Sequence, residues 1–345
     1  MLIEFSIYLL AAILGCVIYY KWAQKKQIVD TPNERSSHTH QPIRGMGVVF
    51  PILFALSSIH VWLTGGEYLY EGSPLFPTYQ ALGVLWIGSG VLLIGLTGYL
   101  DDRIDLRSYV RLPLYTLSTL IALVPIIVTW DNGFIPILVI VVLIIGIINT
   151  YNFMDGINGI TGFYSIVLLG TVYYLFELTH ISVYIGGFSS IIVFAITFLL
   201  VFGFFNFRSK ALAFLGDAGS VSLGLSACIL LVWAGVLHQR MDVIVLLLVY
   251  GVDSVGTIIL RIFRKENIFK AHRSHLYQDL VHIKGLSHLK VALLYALVQL
   301  IINIQYIVYF EYKNIVLYIY LGGLISIYVI CKKLLGTLRF SINKT

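Results

Sequence analysis

Charge is scarce in this chain. Asp, Glu, Lys and Arg make up 12% of its 345 residues, whereas hydrophobic residues make up 59%. A soluble domain needs about a quarter of its residues charged to clothe its surface, so that class is excluded. Cysteine is almost missing as well. Cys16, Cys228 and Cys331 each sit in an apolar run without metal-ligand spacing, so neither a disulfide framework nor a zinc centre is expected. Low-complexity tracts and internal repeats are also lacking. The net charge of +6 is scattered over short loops beside apolar runs and forms no basic patch. That distribution argues against nucleic acid as a partner and for anionic lipid headgroups.

What the chain does have is apolar runs of about 20 residues, the length that crosses a ~30 Å hydrocarbon layer. Eleven are predicted, at about 2–20, 46–64, 80–100, 111–130, 134–150, 158–178, 184–205, 219–238, 243–262, 290–310 and 315–335. The expectation is an all-α integral membrane protein, one polytopic domain over 1–345. The first run has no basic stretch before it, carries Glu4, and meets Lys21 with no small-residue cleavage site between, so it reads as a retained helix. With eleven spans the termini lie on opposite sides. Every Lys and Arg except Arg240 and Lys313 then falls on one side. The positive-inside rule makes that side cytoplasmic, with the N-terminus outside and the C-terminus inside.

The connections on that side, about 21–45, 101–110, 151–157, 206–218 and 263–289, carry polar groups that spans do not require. The third span ends in Asp101-Asp102-Arg103-Ile104-Asp105, placing carboxylates at a helix C-terminus, where the macrodipole opposes them. A divalent cation would offset both effects. Asn149, Asn152, Asp155 and Asn158 recur every three residues and share a polar face if the segment is helical. Asp217, in Phe214-Leu215-Gly216-Asp217-Ala218-Gly219-Ser220, suits a helix cap, and the same helix N-terminus suits a phosphate. His272-Arg273-Ser274-His275 offers an arginine fork and proton-carrying imidazoles. The first loop holds Arg35, His38, Arg44 and Gly45, where glycine lets backbone approach a charged ligand. Asp253 is an ionisable group within a span and is functional or a structural partner.

Taken together, these motifs resemble the polyprenyl-phosphate N-acetylhexosamine-1-phosphate transferases, the superfamily of the phospho-muramoyl-pentapeptide translocase. Asp101-Asp102 match the family's acidic pair after the third span. Asn152, Asp155 and Asn158 match its Asn-x-x-Asp-Gly-x-Asp/Asn-Gly motif. Asp217 matches its Mg2+-binding aspartate, Phe214 the aromatic residue near uracil, and His272, Arg273 and His275 its histidine loop. The resemblance implies catalytic work for Asp101, Asp102, Asp155, His272, Arg273 and His275, and metal binding by Asp217 with Asp101 and Asp102. It implies substrate binding by Asn152, Asn158, Phe214, Arg44, Gly45, Arg35 and His38.

The implied reaction is attack by undecaprenyl phosphate on a UDP-sugar, dependent on Mg2+ with Mn2+ as a substitute, in a bacterial plasma membrane. Membrane lipids surround the enzyme, and a homodimer is a common state of the family. His-Arg-Ser-His and Arg44-Gly45-Met46-Gly47 resemble the O-antigen and capsule-initiating branch, whose donors are often 6-deoxy UDP-sugars. A lipid-sugar flippase or secondary transporter built around Asp253 is the rival reading.

Overall fold

The computed structural model describes residues 2–30, 41–64, 79–128, 133–178, 186–268, 272–310 and 315–338. These form α1 (Leu2–Lys25), α2 (Val49–Thr64), α3 (Tyr79–Ile104), α4 (Ser108–Ile127), α5 (Phe134–Met154) and α6 (Ile160–Leu178). There follow α7 (Gly186–Asn206), α8 (Gly216–Leu237), α9 (Leu248–Phe263), α10 (Leu276–His282), α11 (His288–Val308) and α12 (Ile315–Leu334). Among the described residues there is no strand, only isolated bridges from Ile43 to Val29 and to Ala213. Each expected apolar run corresponds to a long helix, and ten of these have the length and hydropathy to cross a membrane. The protein is an all-α, multi-pass membrane protein.

A helix apolar all round must be buried in protein or face lipid, and the bundle uses both solutions. α8 is buried along nearly its whole length, from Ala218 to Gly235. α5 turns Leu138, Val139, Val142 and Leu143 outward, as a bilayer allows and water would not.

The structure departs from the sequence pattern in three places that matter. The loop 263–289 is not wholly irregular, because it contains α10. The ninth span begins as a 3-10 turn, Met241–Leu247, before becoming α9. Backbone groups released by such a break have no water to bond in an apolar layer. Gln299 of α11 supplies the partners, with Oε1 accepting from Val249 N at 3.0 Å and Nε2 donating to Val245 O at 3.0 Å. Finally, α5 stops at Met154, and Asp155 leaves the helix with φ −80° and ψ 43°. The four-residue polar face expected from Asn149 to Asn158 is therefore split between helix and turn.

Arg240, one of the two basic residues outside the charge bias, is buried and neutralised by Asp242, with Nε to Oδ1 at 2.9 Å.

Loop packing at the Asp101 end brings distant segments together. Ile43 N donates to Leu212 O at 2.9 Å, Phe214 N to Ile43 O at 2.8 Å, and Gly47 N to Leu215 O at 2.9 Å. A Cβ on Gly47 would lie 2.3 Å from Leu215 O, and one on Gly98 would lie 2.7 Å from the Asp217 carbonyl carbon. Only glycine permits this approach of α3 and the 46–48 turn to the start of α8.

Candidate active site

Asp101 and Asp102 occupy the last turn of α3, not the loop beyond it. Their own helix dipole is unfavourable, and three other sources of positive potential offset it. Arg111, at the start of α4, donates to Asp101 Oδ2 at 2.6 Å, while Asp101 Oδ1 accepts from Leu106 N at 2.7 Å. Arg44 Nε donates to Asp102 Oδ1 at 3.1 Å. Asp102 Oδ2 also accepts from Ala218 N at 3.4 Å, so the amide-rich start of α8 faces this carboxylate. Both acids are nearly buried, at 3% and 4% side-chain exposure, and such charges persist only when paired and hydrogen-bonded.

Asp217 does not act as the cap of α8. It is the second residue of the helix, and Leu215 stands at the cap position without a side-chain bond. The Asp217 carboxylate instead turns toward α5, where Asn152 Nδ2 donates to its Oδ1 at 2.8 Å and to Ser220 Oγ at 3.3 Å. It also lies against the Asp101 side chain and within the field of Asp102. Among the described residues Asp217 makes no salt bridge, in contrast to the arginine-held pair of α3. The carboxylates are hard oxygen donors of the kind Mg2+ prefers. No three His, Cys, Asp or Glu side chains among the described residues form a ready-made cage.

Asp155 sits at the end of α5, half-buried. Burial pushes its carboxyl up to about 7, the charge of Asp102 adds to the rise, and the Thr161 hydroxyl opposes it. Asn158 is spent differently from Asn152. Its Nδ2 donates to Arg208 O at 2.8 Å and Ser209 O at 3.2 Å, bracing the 207–210 turn. Asn149 donates to Ile145 O of its own helix at 2.7 Å. Phe214 is part of the strip paired with Ile43, and Gly45 takes φ +72° with Tyr19 Oη bonded to Arg44 O at 2.9 Å. A side chain at Gly45 would be strained in this left-handed conformation. Arg35 and His38 lie outside the described residues.

The histidine segment packs against the end of α5. His272 and His275 have ring centres 4.9 Å apart, and both lie beside Phe153, at 6.5 and 6.3 Å. Tyr277 Oη donates to Phe153 O at 2.9 Å, closing the end of α5 against α10. Burial, with the charges of His275 and Arg261, pushes the His272 imidazole down to about 4. Its Nδ1 lies 2.9 Å from Ser274 Oγ and 3.4 Å from Ser274 N, and with both of these donating, the hydrogen stands on Nε2. A neutral donor at neutral pH results. Arg273 is half-buried in the same stretch.

Asp253 proves to be the anchor of this segment. It accepts from Leu276 N at 2.7 Å, Tyr277 N at 3.2 Å and Tyr295 Oη at 2.7 Å, and its Oδ1 lies 3.6 Å from His275 Nδ1. These bonds leave little to support the transporter reading. Sequence reasoning assigned no role to Arg111 or Tyr295. Arg111 carried a faint signal, a cation a short loop beyond an acidic pair, whereas Tyr295 carried none.

Residues 84–235 match the family model described as glycosyl transferase family 4. The match runs from α3 through α8 and so takes in Asp101, Asp102, Asn152, Asp155 and Asp217, but neither Arg44 nor the histidine segment. No curated protein matches the sequence. Acids from α3 and α8, with the amide of Asn152 between them, thus come from within the matched stretch, and the chain belongs to the superfamily of the phospho-MurNAc-pentapeptide translocase and the polyprenyl-phosphate sugar-1-phosphate transferases.

Proposed function

We propose that this transferase moves a sugar-1-phosphate from a UDP-N-acetylhexosamine to undecaprenyl phosphate, releasing UMP and starting an O-antigen, capsule or related envelope polysaccharide. The His-Arg-Ser-His segment and Arg44-Gly45-Met46-Gly47 favour a 6-deoxy donor. The observation that carries the reading is the meeting of Asp101, Asp102 and Asp217 beside Arg44 and Arg111 at helix ends. An acceptor phosphate on a membrane-embedded chain can reach only such a place. The gathering of basic residues at that end supports a cytoplasmic site in a bacterial plasma membrane.

Phosphoryl transfer needs charge neutralisation and in-line placement more than an elaborate nucleophile. In the proposed reaction an acceptor phosphate oxygen bonds to the β-phosphorus of the donor. The bond from that phosphorus to the bridging oxygen breaks, and UMP leaves with the electron pair. Asp217, with Asp101 and Asp102, would hold Mg2+, or Mn2+ in its place, which neutralises the diphosphate when bound. Asn152 orients Asp217, while Arg44 and Arg111 supply cationic forks for phosphate oxygens. His272 donates from Nε2, with Arg273 and His275 beside it. Asp101 or Asp102 takes the proton of a monoprotonated acceptor. Phe214 and Asn158 border the uridine side, with Gly45, Arg35 and His38 in the first loop.

The test is purified protein with undecaprenyl phosphate, Mg2+ and a panel of UDP-sugars, followed by UMP release. One donor should give turnover that Asp217→Asn abolishes. Folded protein that releases UMP from no donor would sink the proposal.

A further inference from the structure

The chemistry above makes no use of Lys332 or Asp279, yet both are charged and almost wholly buried, at 1% and 5% exposure. Lys332 lies in the last turn of α12, far beyond the stretch matched by the family model. A buried ammonium persists only when paired and when its hydrogens find acceptors. Lys332 Nζ donates to Asp279 Oδ2 at 2.6 Å and to Ser274 O, the carbonyl between Arg273 and His275. The Tyr328 ring lies 5.6 Å from the same nitrogen.

Other bonds converge on the same two acceptors. Thr257 of α9 donates to Ser274 O at 3.4 Å, and Thr337 Oγ1 donates to Asp279 Oδ2 at 2.9 Å. The chain after α12 folds back, with Thr337 N on Lys332 O at 2.9 Å, and Arg264, just past the end of α9, donates to Thr337 O. On the other flank Asp253 takes the first amides of α10. α10 has seven residues, too few for a helix to hold its own shape, so these outside bonds determine it.

We propose that Lys332 is a positioning residue that, through Ser274 and Asp279, fixes the His272–His275 segment against the acidic cluster. The inference rests on the catalytic reading of that segment, and one arm of its test does not. Removing Lys332 alone strands Asp279 and invites misfolding, so the informative variant is Lys332→Gln combined with Asp279→Asn, which removes both charges.

The full chain in lipid nanodiscs should show amide exchange at least ~10-fold faster across 272–282, with 98–104 and 216–224 unchanged. The kcat of UMP release should fall roughly 10–100-fold, with KM for the UDP-sugar changing far less. Adding His272→Ala should cause no further loss, because both changes disable one unit. Unchanged exchange at 272–282, faster exchange throughout the bundle, or multiplying losses would each overturn the proposal. If the wild-type protein released no UMP, the catalytic reading would fall, and exchange would still decide whether Lys332 fixes the segment.

Discussion

Asp155→Asn isolates the carboxyl at the end of α5 and predicts a change in pH dependence. The Asp155 carboxyl stands at about 7, against 3.8 for a free aspartate, chiefly through burial and further through Asp102. The difference is about 3 units, and at ~1.4 kcal/mol per unit ionising Asp155 in the fold costs roughly 4 kcal/mol. The sign follows from proton binding. Between about pH 4 and 7 the folded state holds a proton that the unfolded state has released, so stability falls as pH rises. The contribution is fully present below about pH 4 and is lost above about pH 7. Thermal unfolding in detergent from pH 4.5 to 8.5 should show this slope in the wild-type protein and a shallower one in Asp155→Asn. A divalent cation near Asp102 should move the wild-type transition to lower pH, because it cancels part of the field that raises Asp155. Identical slopes in the two proteins would refute the assignment of the pH slope to Asp155.

Two structural substitutions test the scaffold. Gly47→Ala would push a methyl against Leu215 O and the Gly219 backbone, at 2.3 and 2.5 Å. It should cost about 1–3 kcal/mol by overpacking and should lower UMP release by shifting Asp217 away from α3. Thermal unfolding and turnover, measured together, check it. Gln299→Leu should orphan the Val249 N–H at the break before α9 and the Tyr164 O–H, both of which donate to its Oε1. At ~1–3 kcal/mol for each unpaired group the loss should be about 2–6 kcal/mol, read as a lower unfolding temperature with the site chemistry otherwise intact.

The agreement between sequence and structure is close wherever solvent alone decides. A run such as 134–150 can only be a helix that faces lipid or protein, because an apolar layer leaves backbone groups no other partner. Site residues were legible where their type conflicts with their place, as with Asp101 and Asp102 at a helix C-terminus or Asp253 inside a span. Asn152 and Asn158, by contrast, look alike in sequence, although one bonds to Asp217 and the other to the carbonyls of Arg208 and Ser209. Nothing in composition or period separates them, because the difference lies in which neighbour each side chain meets.

By itself, then, the sequence determined the class of solvent, the number of apolar runs, the charge bias between their ends and the acidic and amide motifs between them. These depend on residue type and spacing along one chain. Tertiary structure decided that Asp102 takes the amides of α8, that Asp217 turns to Asn152 instead of capping, and that Arg111 holds Asp101. It also decided that Lys332 reaches Ser274 across 58 residues of chain. The physical reason is that buried charges take whichever partners packing brings within about 3 Å, and packing across a bundle is set by surfaces far apart in sequence.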